Sequence, residues 1–109
     1  MTNKEIELEN MLIVDFMSID EDVLTDDDYH LYMYNKYKYD DMDYDHYWNS
    51  LMPVVEKICK NYAYYQSNDS GEWQIMIDIA NVNEVGANLL ETVWLSVVKF
   101  IKWYNSNKL

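Results

Sequence analysis

This chain of 109 residues has few of several residue types, and each shortage excludes a class of structure. Its single cysteine, Cys59, cannot form an intramolecular disulfide, which argues against a small secreted domain held by disulfides. One proline and two glycines exclude collagen-like and glycine-rich low-complexity architectures. The uncharged apolar run at 92–98 is far too short to span a membrane. The first residues lack the basic and apolar regions of a signal peptide, so the sequence predicts a cytoplasmic protein.

Positive charge is also scarce. The chain has no arginine, and its eight lysines face twenty acidic residues, for a net charge of −12. The excess lies early: residues 1–28 hold ten acids and one lysine, whereas residues 51–109 hold six acids and five lysines. A chain with this charge repels phosphate, so we expect no direct binding of DNA or RNA. Half of the residues are apolar, which is enough for one folded domain over 1–109.

Apolar periodicity predicts two helices in the first part of the chain. A capping box of Thr2 and Glu5 precedes apolar residues at helical spacing, which predicts a helix over 3–17. A second helix is predicted to begin between Trp48 and Ser50 and to end near residue 60 or 61. Because proline has no amide hydrogen, Pro53 should lie in the first turn of this helix or mark a kink.

A β-hairpin is predicted next, over 61–67 and 72–80, with turn residues at 68–71. Its second strand alternates apolar and polar residues, so one face should be buried. The expected buried residues are Trp73, Ile75, Ile77 and Ile79.

A long helix is predicted to close the chain, from residue 83 or 84 to residue 105. Three lysines near its end are expected to complement the helix dipole: Lys99, Lys102 and Lys108. The order of elements predicts an α+β fold, with about three helices packed on one face of a small antiparallel sheet.

The segment 20–47 combines acidic runs with tyrosine. Seven of the eleven tyrosines lie in 29–47, and their alternation predicts a strand, or a hairpin about Asn35 and Lys36. One interpretation is solubility plus a few core tyrosines. The other is a recognition surface, since tyrosine gives a rigid contact area and carboxylates can imitate a phosphate backbone. The candidate partner-binding residues are Asp20, Glu21, Asp22, Asp26, Asp27, Asp28, Tyr32, Tyr34, Tyr37, Tyr39, Asp40, Asp41 and Asp43.

The acidic residues do not complete a known cation motif. Asp41, Asp43 and Asp45 have the spacing that opens an EF-hand loop, but its sixth and twelfth positions are His46 and Met52 rather than glycine and glutamate. A looser cation site from Asp43, Asp45 and His46 is an alternative to a solvated acidic loop.

No set of residues predicts catalysis. Cys59 could pair with one of the two histidines, but it shares an apolar face with Val55 and Tyr62, where we expect a buried cysteine. There is also no glycine-rich phosphate loop and no zinc-ligand spacing. We therefore expect a protein that is not an enzyme and has no catalytic residues, no metal and no cofactor.

Two stretches resemble a known family: Leu-Met-Pro-Val-Val-Glu-Lys-Ile at 51–58 and Val-Val-Lys-Phe-Ile-Lys-Trp-Tyr-Asn at 97–105. Together with Phe-Met at 16–17, they resemble small proteins of unknown function encoded in phages and prophages of Bacteroidetes bacteria. The resemblance covers about half of the chain. Ser18 stands where the family has glycine, and 47–50 departs from the family's Ser-Trp-Asp-Trp. The resemblance implies a shared scaffold and a mobile-element origin in the cytoplasm of a bacterial host.

Phage origin, an acidic surface and the lack of a catalytic set lead to one hypothesis of function. The chain would be a counter-defence protein of the anti-CRISPR type, binding a basic nucleic-acid or guide-RNA surface of a bacterial RNA-guided nuclease. The implied host favours a type VI RNA-guided RNase as the target. The alternative is a non-catalytic structural or regulatory phage protein that binds other host machinery. Neither hypothesis involves free nucleic acid or a membrane.

Overall fold

Helices and strands follow one another in the order α1, α2, β1, β2, β3, α3. The computed structural model describes residues 1–17 and 43–107, and the elements below belong to these residues. The helices are α1 (Asn3–Met17), α2 (Trp48–Cys59) and α3 (Leu89–Asn107). The strands are β1 (Tyr65–Asp69), β2 (Glu72–Ile77) and β3 (Val82–Gly86), and a 3-10 turn, Asp78–Ala80, joins the last two.

The sheet is antiparallel, in the order β1-β2-β3. Helix α3 packs on β2 and β3, while α1 and α2 pack on α3 and on each other. This arrangement confirms the predicted α+β class, with α3 as the layer between the sheet and the other two helices. Within the described parts of the chain, no helix combines the length and apolarity needed to cross a membrane.

The core is centred on α3, which contributes apolar residues from most of its length. Phe100 is fully buried and meets the ring of Phe16 edge-on, at 6.0 Å between centroids. The same Phe16 ring lies edge-on to Tyr104 at 5.4 Å. Aromatic pairs in this geometry each add about 0.5–1.5 kcal/mol beyond the area they bury. These contacts fix the end of α1 against the C-terminal half of α3.

Helix α1 has the predicted bounds because its predicted cap forms. The Thr2 hydroxyl accepts a hydrogen bond from the Glu5 amide at 3.1 Å, and a Glu5 carboxylate oxygen accepts one from the Thr2 amide at 3.4 Å. At the other end, Lys57 Nζ on α2 donates to the Phe16 carbonyl at 2.6 Å. A lysine there stabilises the unpaired carbonyls of the last turn.

Helix α2 corrects two predictions. The helix begins at Trp48, within the predicted range, but this start puts Pro53 in the second turn, so the first-turn alternative is wrong. The missing proline amide leaves the Asn49 carbonyl without its helical donor, and both residues are exposed, so water can satisfy it. The apolar face is also turned from the prediction: Val54 is fully buried and Cys59 is exposed.

The predicted start of the last helix at 83 or 84 is wrong, because those residues belong to β3. Asn81 takes a left-handed conformation (φ 55°) that turns the chain back along β2. The helix begins later, where the Asn88 side-chain oxygen accepts a hydrogen bond from the Glu91 amide at 2.9 Å.

The lysines of α3 form tertiary ion pairs, not the predicted dipole contacts. Lys102 Nζ lies 2.7 Å from Glu9 Oε1 on α1, and Lys99 pairs with Glu84 on β3. Lys108 lies outside the described residues. Lysine side chains of this length reach neighbouring carboxylates, which offer a full charge where the helix end offers about half of one.

The hairpin is shifted and shortened relative to the prediction. Its turn has two residues, Ser70 and Gly71, both at positive φ (55° and 90°), so β1 extends to Asp69, which pairs with Glu72. At its other end β1 begins at Tyr65, four residues later than predicted. Strand β2 ends at Ile77, which leaves Ile79 57% exposed instead of buried. Of the strand predicted within 29–47, residues up to 42 lie outside the described part, and 43–47 form a turn before α2.

Candidate functional site

A cavity of about 460 Å³ lies where the start of α1, the turn before α2 and the start of α3 meet. We call it the Trp94 pocket. Its lining combines apolar side chains with two carboxylates, one imidazole and one amide. The lining residues are Met1, Ile6, Asp45, His46, Asn88, Leu90, Glu91, Trp94 and Leu95.

Two linked hydrogen bonds, one buried and one partly buried, hold the pocket together. The Trp94 indole Nε1 donates to Asn10 Oδ1 at 2.8 Å, and Asn10 Nδ2 donates to Asp45 Oδ1, also at 2.8 Å. Asn10 is 2% exposed and Trp94 is 4% exposed, so breaking either bond leaves a polar group with little access to water. We call this pair of bonds the Trp94–Asn10–Asp45 relay. It ties α3, α1 and the turn before α2 to one another.

Asp45 presents its second oxygen to His46. His46 Nε2 lies 3.2 Å from Asp45 Oδ2, and its side chain is 74% exposed, against 13% for Asp45. The turn that places both residues closes on Asp43, whose carbonyl accepts from the amides of His46 and Tyr47 at 2.9 and 3.1 Å. The pocket therefore has a fixed carboxylate in its wall and a solvent-facing imidazole beside it.

Asp43 has a structural role in the described region. Its carboxylate Oδ1 accepts a hydrogen bond from the Ser50 hydroxyl at 2.6 Å, which fixes the turn to the first turn of α2. Asp43 is half-buried, and it is the one predicted partner-binding residue that the described ranges include. The other twelve, between positions 20 and 41, lie outside those ranges, so their assignment stays a prediction.

The acids of the turn are engaged with protein partners. Asp43 bonds to Ser50, while Asp45 bonds to Asn10 and pairs with His46. Over residues 1–17 and 43–107, no three His, Cys, Asp or Glu side chains are grouped so that they could hold a metal ion. The described residues therefore give no support to a cation site formed by Asp43, Asp45 and His46.

Cys59 differs from its predicted environment. The sequence placed it on a buried apolar face, but it lies exposed at the last residue of α2. Partial burial and the neighbouring Glu56 carboxylate raise the pKa of the Cys59 thiol. Since the thiolate is the nucleophilic form, this environment weakens the thiol as a nucleophile.

The exposed surface of the described residues is acidic. Seven carboxylate residues are exposed: Glu5, Glu7, Glu56, Asp69, Glu72, Asp78 and Glu91. Three of the five described lysines are engaged within the fold, with the Phe16 carbonyl, Glu84 and Glu9. Lys99 and Lys102 therefore neutralise two half-buried acids, and the seven exposed carboxylates have no lysine partner among the ion pairs of the described residues.

Sequence reasoning did not identify Asn10, Trp94 or Glu91 as site residues. One sequence feature could have pointed to the site: Asn10 lies four residues after Ile6 and three before Ile13, so it falls on the apolar stripe of α1. A polar residue in that position needs a buried partner, which the sequence cannot name.

In comparisons with known proteins, no family model, curated protein or solved structure matches this chain.

Proposed function

We propose that this chain is a phage-encoded counter-defence protein of the anti-CRISPR type. In this proposal it binds the basic nucleic-acid or guide-RNA surface of a bacterial RNA-guided nuclease, with a type VI RNase as the target, and inhibits it. The observation that carries the proposal is the distribution of charge: a net charge of −12, with seven exposed carboxylates on the described residues and two of the five described lysines paired with acids of the same chain.

The fold supports a charged surface that stays in place. Glu9 and Glu84 are half-buried and paired with Lys102 and Lys99, so these ion pairs connect α1 and β3 to α3. The exposed acids lie on the three helices, on β1 and β2, and on the 3-10 turn between β2 and β3. A fixed array of carboxylates is better suited to a basic groove than a flexible acidic tail, because less conformational entropy is lost on binding.

The chemistry of the Trp94 pocket also favours binding. Its described lining includes two carboxylates, an amide and an imidazole beside apolar side chains. The two carboxylates, Asp45 and Glu91, give the lining acceptors with full negative charge, which suit a cationic guest from a basic partner.

Inhibition would follow from competition for the same charges. A nuclease channel holds RNA through lysines and arginines that replace the counterions of phosphate. Carboxylates placed on those side chains would block RNA and would also accelerate encounter, since complementary charge raises the association rate. The acidic chain itself should not bind free RNA.

The test is a cleavage assay with a purified type VI RNase, its guide RNA and a labelled target RNA. We expect the chain to slow cleavage when it is added before the target, and to lose effect when excess target is bound first. Bovine serum albumin at equal concentration controls for nonspecific acidic protein. Unchanged cleavage with excess chain would refute this target, and tight binding of the chain to free RNA would refute the mechanism.

A further inference from the structure

We propose that the Trp94 pocket receives one arginine side chain of a basic protein partner, with the guanidinium paired to Asp45 and Glu91. The inference rests on the proposed function for the presence of a basic partner. It adds a specific anchor point to what would otherwise be a diffuse attraction between surfaces.

The pocket has a suitable size and wall for this side chain. Its volume of about 460 Å³ leaves room for one arginine side chain, since pockets of about 300–1,000 Å³ hold whole drug-sized ligands. Ile6, Leu90 and Leu95 provide apolar lining for the aliphatic part of an arginine, which buries such a stem while its head stays polar. Trp94 also lines the pocket and, at 4% exposed, adds a small aromatic contact.

The carboxylates retain room for a guest. Asp45 accepts from Asn10 through Oδ1 and faces His46 through Oδ2. Each carboxylate oxygen has two lone-pair sites, so both oxygens keep acceptor capacity. Glu91 is exposed in the first turn of α3. The N-terminus of a helix carries about half a positive charge, which repels a guanidinium, but the full negative charge of Glu91 outweighs it. Met1 also lines the pocket, and it is 65% exposed, so the high dielectric constant of water weakens the repulsion between its amino group and a guanidinium.

The relay fixes Asp45 before a partner arrives. Because Asn10 is buried and bonded to both Asp45 and Trp94, the carboxylate and the indole keep one relative position. A preformed acceptor beside an aromatic wall reduces the ordering cost of binding. Arginine suits this geometry better than lysine, because its planar fork can bond carboxylates through two N–H groups in fixed directions.

The test uses the intact chain and N-acetyl-arginine amide as the probe. The Trp94 indole N–H resonance, assigned by its loss in Trp94→Phe, is followed during titration. We expect saturable shifts at millimolar probe, weaker binding of N-acetyl-lysine amide, and none for N-acetyl-citrulline amide, which has the shape of arginine without its charge.

Glu91→Gln should weaken the arginine probe about tenfold, since it removes a charged hydrogen-bond acceptor. Glu72→Gln is the matched control, because it makes the same change at an exposed position of the hairpin. This variant should bind the arginine probe as tightly as the wild type does. Equal binding of citrulline, or unchanged affinity in Glu91→Gln, would overturn the pocket assignment.

The two proposals fail separately. If the chain binds the probe but does not inhibit the nuclease, the pocket stands and the proposed function falls. If the chain inhibits the nuclease while Glu91→Gln and Glu72→Gln inhibit equally, the proposed function stands and the arginine site falls.

Discussion

Replacing Asn10 with alanine tests whether the Trp94–Asn10–Asp45 relay holds the site together. The substitution removes the acceptor for the Trp94 indole and the donor to Asp45, in bonds that both measure 2.8 Å. An unsatisfied buried donor costs about 1–3 kcal/mol, and a lost bond to a charged group costs about 1.5–3 kcal/mol. The Asp45 side chain is 13% exposed, so water replaces part of the hydrogen bond that it loses. The lower end of each energy range therefore applies.

We therefore expect Asn10→Ala to lower the free energy of unfolding by about 3 kcal/mol. For a domain of this size, each kcal/mol lowers Tm by about 4–8 °C, so the shift should be about 12 °C or more. Urea unfolding followed by circular dichroism measures the change. Asn83→Ala is the matched control: its side-chain oxygen accepts from Gln74 at 2.9 Å on the exposed side of the sheet, and the loss should stay within about 0.5 kcal/mol.

A double-mutant cycle identifies the bond responsible. Trp94→Phe removes the indole donor, so Asn10→Ala in that background should cost about 1–2 kcal/mol less than in the wild type. An Asn10→Ala effect as small as that of Asn83→Ala would refute the relay as a source of stability. A full effect with zero coupling to Trp94 would show that the indole bond does not contribute.

Three further substitutions test other parts of the structure. Gly86→Ala should destabilise the fold by about 1–3 kcal/mol in urea unfolding, because the new Cβ would lie 2.5 Å from Thr92 Oγ1; a neutral result would contradict this close approach. Ile77→Ala should cost about 2–5 kcal/mol in the same assay, whereas Ile79→Ala should cost less than about 1 kcal/mol, because Ile77 is fully buried and Ile79 is exposed; similar losses would contradict the assigned end of β2. Burial raises the pKa of Tyr64 from 10.0 to about 12, so the folded state holds this proton more tightly than the unfolded chain does. The free energy of unfolding should therefore fall as the pH rises from 10 to 12, and Tyr64→Phe should reduce that fall, measured as the urea midpoint. The same dependence on pH in the wild type and in the variant would refute the raised pKa of Tyr64.

Periodicity recovers the elements whose own pattern is strong. Helix α1 has both a capping box and an apolar stripe, and its bounds match the prediction. Strand β3 has a weaker pattern, since it is five residues long and includes Asn83 and Glu84. Strand β3 forms because Asn81 turns the chain back and because β2 offers an edge for pairing. Local periodicity contains neither of these conditions, so it predicted helix for 83–88.

The site is less predictable than the fold because its contacts are distant in sequence. Asn10 lies 35 positions from Asp45 and 84 positions from Trp94. Composition indicated an acidic binding surface, which remains a prediction for the residues between 20 and 41. The pocket at Trp94 depends on how α1 and α3 cross, so it was visible only in the folded structure.

The dissociation constant for the type VI nuclease as a function of salt tests the central claim most directly. Raising ionic strength from about 0.1 to 1 M shortens the Debye length from about 10 to 3 Å, so binding through exposed charge should weaken steeply. The triple variant Asp26→Asn, Asp27→Asn and Asp28→Asn should bind more slowly and show a shallower salt dependence, because peripheral charges act mainly on the association rate. An affinity that does not change with salt, in either the wild type or this variant, would contradict the account.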